Sequence, residues 1–160
     1  MVSGKRRPFT VTLLYILHLF LGVGALFGGG AMVIDPSGAL ISIPISMLVR
    51  SPFSDFFIPG ILLFIIFGLL PLVVVFGLIK RPQWRWVDVL NPFKKLNSFW
   101  ALSLYIGFGQ IIWITVQTYM LNSVAIIHLI YISLGLFIQA VTLLPSVQGY
   151  FLLDGDSERR

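Results

Sequence analysis

Of 160 residues, 58% are hydrophobic and 11% charged, against about half apolar and about a quarter charged in an ordinary soluble domain, which excludes water as the main solvent of this chain. Cysteine is absent, so disulfides, thiolate nucleophiles, iron-sulfur clusters and cysteine-based zinc sites are excluded together. The net charge of +5 reads as membrane lipid rather than nucleic acid, because the basic residues stand beside hydrophobic segments.

A hydrocarbon core takes about 20 helical residues at about 1.5 Å each. Four uncharged stretches meet that length and predict transmembrane helices over 9–33, 56–79, 99–121 and 124–144. The first follows Lys5, Arg6 and Arg7, as a signal peptide would. Its apolar run exceeds the usual ~7–15 residues and no small-residue cleavage site follows, so it reads as a retained span. An outer loop, 34–55, comes next. Asp35-Pro36-Ser37-Gly38 has the residues of a type I turn, and Met32 to Ile34 and Ala39 to Ile43 have strand character. A short hairpin is predicted there. Ser51-Pro52-Phe53-Ser54-Asp55 reads as a helix start with Ser51 as N-cap and Pro52 in the first turn.

Pro71 predicts a bend in the second span, at the expense of the Phe67 carbonyl. The inner loop, 80–98, alternates aromatic, basic and apolar residues and is expected on the inner membrane surface, with Trp84, Trp86 and Trp100 as interfacial anchors. Asn122-Ser123 is a very short turn into the fourth span. Pro145 is predicted to break that span, leaving Tyr150 and Phe151 at the inner interface at the head of a cytoplasmic tail, 145–160.

Orientation follows from Lys and Arg. Lys5, Arg6, Arg7, Lys80, Arg81, Arg85, Lys94, Lys95, Arg159 and Arg160 fall on one side and Arg50 alone on the other. Basic loops stay in the cytoplasm, so both termini are expected inside. The fold class expected is all-α membrane: one four-transmembrane-helix bundle with a short extracytoplasmic β-hairpin between helices 1 and 2.

The candidate site residues are the neutral polar groups within the spans. In the third, Ser103, Gly107, Gln110, Ile114 and Gln117 are spaced by three and four, which puts them on one helix face. So are His128, Tyr131, Gly135, Gln139 and Thr142 in the fourth, and Tyr15, His18, Gly22, Ala25 and Gly29 in the first. The second span has no such seam. Counting about 1.5 Å per residue from the span ends, three polar layers are expected: Tyr15 with Gln139, His18 with Gln110, and Gln117 with His128. Tyr15, His18, Gln110, Gln117, His128, Tyr131 and Gln139 are then the candidates for lining an intrabundle pocket.

Catalytic classes fare poorly. Bis-histidine haem b needs both imidazoles at one iron, whereas His18 and His128 differ in depth by roughly 10 Å. No third ligand completes a zinc site. A proton-coupled transporter would ordinarily place a carboxylate in the bundle. Ser103 and Ser133 have no hydrolase motif around them. Gly28-Gly29-Gly30 ends a span and is not followed by the lysine of a phosphate loop. No cofactor and no catalytic residue is expected.

The layout, a long outer loop with strand character and a very short final turn, is similar to that of claudin-type proteins in topology alone, since the paired cysteines and the Trp-containing signature of their loop are missing. Asp35-Pro36-Ser37-Gly38, with Ser51-Pro52-Phe53-Ser54-Asp55-Phe56-Phe57-Ile58-Pro59-Gly60, resembles a recurrent pattern in small four-helix membrane proteins of bacteria. From Asp35 to Gly60 it spans about a sixth of the chain, and it implies no activity. It does imply a multi-pass protein of the bacterial inner membrane. Two functions remain. The leading expectation is a non-enzymatic accessory subunit or small assembly factor, with membrane lipids and another membrane protein or a second copy as partners. The alternative is a binder or carrier of a lipid, quinone or sterol-like molecule, held in an intrabundle pocket beneath the outer loop.

Overall fold

The computed structural model describes residues 6–153, so Lys5, Arg159 and Arg160 of the charge balance, and the tail beyond 153, lie outside the described residues. Within them six helices follow one another: α1 (Phe9–Ile34), α2 (Phe57–Lys80), α3 (Arg85–Val89), α4 (Ser98–Leu121), α5 (Ile126–Thr142) and α6 (Pro145–Phe151). Three of them, α1, α2 and α4, are each long and apolar enough to cross a membrane. The pair α5 and α6, bent by 63°, makes a fourth if it counts as one span. Outward-facing side chains match that composition: Phe27, Ile112 and Phe137 are 77%, 63% and 60% exposed, where a helix in water would carry polar groups.

One end of the bundle, here the basic end, gathers the start of α1, the end of α2, α3, the start of α4 and α6. The other, the loop end, carries 35–56. Helices without a hydrophobic drive toward each other need close backbone approach, and glycine supplies it. A Cβ on Gly29 would stand 2.6 Å from the Phe64 nitrogen and 2.8 Å from the Gly60 oxygen, so α1 and α2 touch through their backbones. A Cβ on Gly135 would stand 3.1 Å from the Gly107 oxygen, the same device between α5 and α4. The disturbance expected at Pro71 takes the form of a π-helical segment, Leu63–Leu69, just before it. Proline lacks an N–H and crowds the carbonyl four residues back, and wider turns of this kind re-satisfy the displaced backbone groups.

The outer β-hairpin is not there. No β-strand occurs among the described residues, the one strand-like feature being an isolated bridge between Leu96 and Leu152. Met32 to Ile34 stay in α1, and the loop folds into two short 3-10 turns, Ala39–Ile41 and Ile45–Leu48. The physical reason is local. Gly38 and Ser42 adopt the left-handed region (φ 80° and 56°), and Ile43 N–H donates back to the Gly38 oxygen at 3.0 Å. Pro44 has no N–H to offer a ladder. The Asp35 turn does form, with Gly38 N–H donating to the Asp35 oxygen at 3.1 Å.

Three smaller expectations also change. The helix after the loop starts at Phe57, not Ser51. Asp55 Oδ1 accepts from Phe57 N–H at 2.9 Å, while Ser51 closes a local turn by accepting from Phe53 N–H at 3.2 Å. Trp100 is no interfacial anchor: it is 2% exposed, and its indole N–H donates to the Thr142 carbonyl at 2.8 Å. Pro145 does break the fourth span, but α6 turns back under the bundle, so Phe151 is fully buried. Arg81 lies over the rings of Tyr150 and Phe151 and donates to the Tyr150 carbonyl at 3.1 Å.

Candidate functional site

All three polar seams face inward. Tyr15, His18, Gly22, Ala25 and Gly29 are buried on α1; Ser103, Gly107, Gln110 and Ile114 on α4; His128, Gly135 and Thr142 on α5. Gln117, Tyr131 and Gln139 are half-buried. The three expected layers, by contrast, do not close. His18 Nδ1 bonds to the Leu14 carbonyl of its own helix at 3.0 Å. Since that partner only accepts, Nδ1 carries the proton and Nε2 offers a lone pair. His18 Nε2, Gln110 Oε1 and Gln139 Nε2 are all buried without a hydrogen-bond partner. Two polar contacts do tie α4 to α5: Trp100 Nε1–H with the Thr142 carbonyl at 2.8 Å and Ser103 Oγ with Thr142 Oγ1 at 2.9 Å. Thr142 in turn donates to the Ile138 carbonyl at 2.6 Å, which makes Ser103 the donor to Thr142.

At the loop end the helices part. A cavity of about 590 Å³ lies between α1, α2, α4 and α5, and residues 41–56 of the loop cover it. The roof has its own small core, Met32, Leu48 and Phe56 with Ile41, Ile43 and Leu63 packed on it, and Phe56 N–H ties its end to the Pro36 carbonyl at 2.9 Å. Glycine opens the α1 wall: a Cβ on Gly28 would meet only a Leu63 methyl, at an ordinary 3.6 Å, and Gly24 leaves room for the Tyr131 hydroxyl. Of the Gly24–Gly28 pair, whose spacing is that of a helix-packing motif, Gly28 borders the cavity and Gly24 is met by Tyr131.

Four of the seven candidates, Gln110, Gln117, His128 and Tyr131, line this cavity; Tyr15, His18 and Gln139 do not. Tyr15 lies toward the basic end beneath the Arg7 guanidinium, 5.7 Å away. Gln139 packs against Gly107, where a Cβ would come within 2.7 Å of its Cγ. Gln117 and His128 share the cavity without bonding to each other. His128 Nδ1 accepts from the Ala125 backbone N–H at 3.0 Å and so caps the start of α5. That bond places the proton of the neutral ring on Nε2. Among the described residues no three His, Asp or Glu side chains are grouped to hold a metal ion.

Sequence reasoning missed Trp113. It lines the cavity, its indole N–H is buried without a partner, and its ring packs against Phe67 at 5.7 Å. The signal was available: Trp113 sits three residues after Gln110 and four before Gln117, on the same face. It also lies deep in its span, roughly 21 Å from the start at about 1.5 Å per residue, where an interfacial role does not explain it.

Comparison with known proteins gives no matching family model, no matching curated protein and no matching solved structure.

Proposed function

We propose that this chain is a multi-pass membrane protein, without enzymatic activity, that binds or carries a hydrophobic small molecule in the cavity at its loop end. One observation supports this above the others: a space of about 590 Å³ within the range of small-molecule sites, about 300–1,000 Å³, mostly apolar in lining and bordered by a few polar groups. The accessory-subunit or assembly reading accounts for buried seams, which hold the bundle together, but it gives no role to the cavity. Lys80, Arg81, Arg85, Lys94 and Lys95 at the basic end support a cytoplasmic basic end with both termini inside, and a bacterial inner membrane as the setting. Membrane lipids are then the surrounding partners and the source of the ligand.

Native mass spectrometry of the full chain in mild detergent tests the reading. The expected result is a retained hydrophobic molecule on the wild type and none on folded Gly28→Phe, whose ring would occupy the space. If the wild type retains nothing and takes up nothing from added lipid extract, the reading fails.

A further inference from the structure

We infer that the occupant of this cavity is an anionic single-chain amphiphile, its acyl tail in the cavity and its carboxylate or phosphate head in the adjoining recess at Arg50. The inference rests on the reading of the cavity as a binding site and adds the charge, shape and orientation of what it takes.

Cavity and recess are neighbours built from the same segments. Leu48 and Ser51, on either side of Arg50 in the chain, line the cavity. Arg50 itself lines an open recess with Thr118 and Tyr119 of the last turn of α4 and with Asn122 and Ser123, which follow it. Ser123 borders both spaces. A molecule lying past Ser123 therefore has the apolar space on one side and Arg50 on the other.

Charge decides which end of that molecule goes where. No Lys, Arg, Asp or Glu lines the cavity, so a carboxylate, phosphate or ammonium inside it would be buried without a counter-ion, at a cost of several kcal/mol. The recess has the opposite character: Arg50 lines it and no carboxylate does. Two helix ends also meet there, since α4 ends at Leu121 and α5 starts at Ile126. Their partial charges, about half an elementary charge each and of opposite sign, offset one another. The full charge of Arg50 then sets the sign of the recess. Thr115 and Thr118 donate their hydroxyl protons to the Ile111 and Thr115 carbonyls of their own helix, at 2.8 and 2.9 Å, so donors for an anion come from Arg50, Tyr119, Asn122 and Ser123. A guanidinium matches carboxylate and phosphate alike. A neutral head forgoes that charge-assisted bonding, and an ammonium head is repelled.

Size limits the tail. At about 30 Å³ per water-sized group, 590 Å³ holds on the order of twenty such groups, the bulk of one acyl chain. Arg50 has an ordinary role as well, because a cation beside a helix C-terminus stabilises it without any ligand. That role predicts an effect on unfolding and none on which head group binds.

The test measures radiolabelled palmitate on the full chain in phosphatidylcholine nanodiscs, at alkaline pH where the acid is ionised. Unlabelled palmitate, palmitoyl lysophosphatidic acid, hexadecanol and hexadecylamine compete against it, and every variant is first checked for a single thermal transition. On wild type, hexadecanol and hexadecylamine should compete at least about tenfold more weakly than palmitate, the low end for a hydrogen bond to a charged group. Arg50→Gln should erase that difference, Arg50→Lys should keep most of it, and added salt should weaken palmitate binding in wild type but not in Arg50→Gln. Gly28→Phe, or Gly28→Leu where the ring prevents folding, should lose palmitate. Lysophosphatidic acid competing more strongly than palmitate identifies the head as a phosphate, and more weakly as a carboxylate; both support the anionic assignment. Equal competition by palmitate and hexadecanol on wild type, with binding lost in the Gly28 variant, overturns the assignment and leaves the cavity reading standing. A preference for palmitate that persists in Arg50→Gln, even with a lowered thermal transition, reduces Arg50 to a helix-end counter-charge and overturns it too. Palmitate binding that survives in the Gly28 variant but not in Arg50→Gln separates the recess from the cavity and overturns the joined site. Absence of binding by any probe to wild type removes both readings.

Discussion

The two ends of this bundle are built from the same kinds of residue put to opposite use. At the basic end most polar groups of the core are engaged, Gln139 Nε2 excepted. Trp100 and Ser103 meet at Thr142, Asn91 bridges the Leu96 carbonyl and Ser98, and Phe151 fills the space beneath them. At the loop end an amide and an indole on the same helix go unbonded, and Gly28 of α1 faces the cavity while its neighbour Gly29 packs on the α2 backbone. Cohesion in lipid comes from close packing and interhelical hydrogen bonds. Hydrogen bonds at the basic end, with the Gly29 contact between α1 and α2, hold the bundle together while the remaining faces at the loop end enclose space.

The largest test of that contrast uses two adjacent glycines. Gly29→Leu drives a side chain into the Phe64 and Gly60 backbone atoms that already stand under 3 Å from an ideal Cβ. Backbone cannot rotate aside, so the cost should exceed the ~1–3 kcal/mol of ordinary overpacking, and detergent size-exclusion should show aggregate or no protein. Gly28→Leu, one residue earlier, points into the cavity and should give a monodisperse peak. If both variants behave alike, the division of α1 into a packed and an open face is wrong.

Much of this architecture was legible in the chain. Spans predicted at 9–33, 56–79 and 99–121 are helices at Phe9–Ile34, Phe57–Lys80 and Ser98–Leu121, because an uncharged run of that length is a strong one-dimensional signal. The inward faces of α1, α4 and α5 were legible too, from three- and four-residue spacing. Which seam residues bond was not. One residue along a helix is about 1.5 Å of height and about 100° of rotation, so a count from span ends cannot register two helices against each other. The hairpin failed for a different reason: Ala39 to Ile43 have the residue types of a strand, but Gly38 and Pro44 bracket them, and a five-residue segment between such residues closes on itself. The cavity depends on four helices and a loop at once, and no local pattern encodes it.

A moderate effect separates satisfied from unsatisfied polar groups. Thr142→Val keeps the shape of the side chain but leaves Ser103 without its acceptor, and should lower stability by about 1 kcal/mol, the usual size of one such interhelical bond. Gln110→Leu removes an amide whose oxygen has no protein partner, and should leave the ligand-free chain as stable as before or slightly more so. Thermal unfolding of delipidated protein measures both. A loss in Gln110→Leu equal to that in Thr142→Val would mean that the Gln110 amide is bonded within the bundle, and the loop end would then be no less knit than the basic end.

The smallest effect concerns the roof. Asp35 Oδ1 accepts from the Ser37 hydroxyl at 2.6 Å and the Ser37 N–H at 3.1 Å, and Oδ2 accepts from Leu40 N–H at 2.9 Å. These bonds, the Ser37 hydroxyl foremost, hold the carboxyl below the usual aspartate range. A folded-state pKa below the unfolded one means the turn gains its stabilisation fully above the ordinary carboxylate pKa and loses it as pH falls through the lowered value. The Leu40 amide resonance should therefore be constant from neutral pH down to the carboxylate range and shift only below it. Asp35→Asn should abolish the titration. Asp35 is only partly buried, which keeps the consequence local, so ligand release should quicken only modestly at acid pH. A Leu40 amide that titrates at or above the ordinary aspartate range would place Asp35 outside the turn and detach the roof from its anchor on α1.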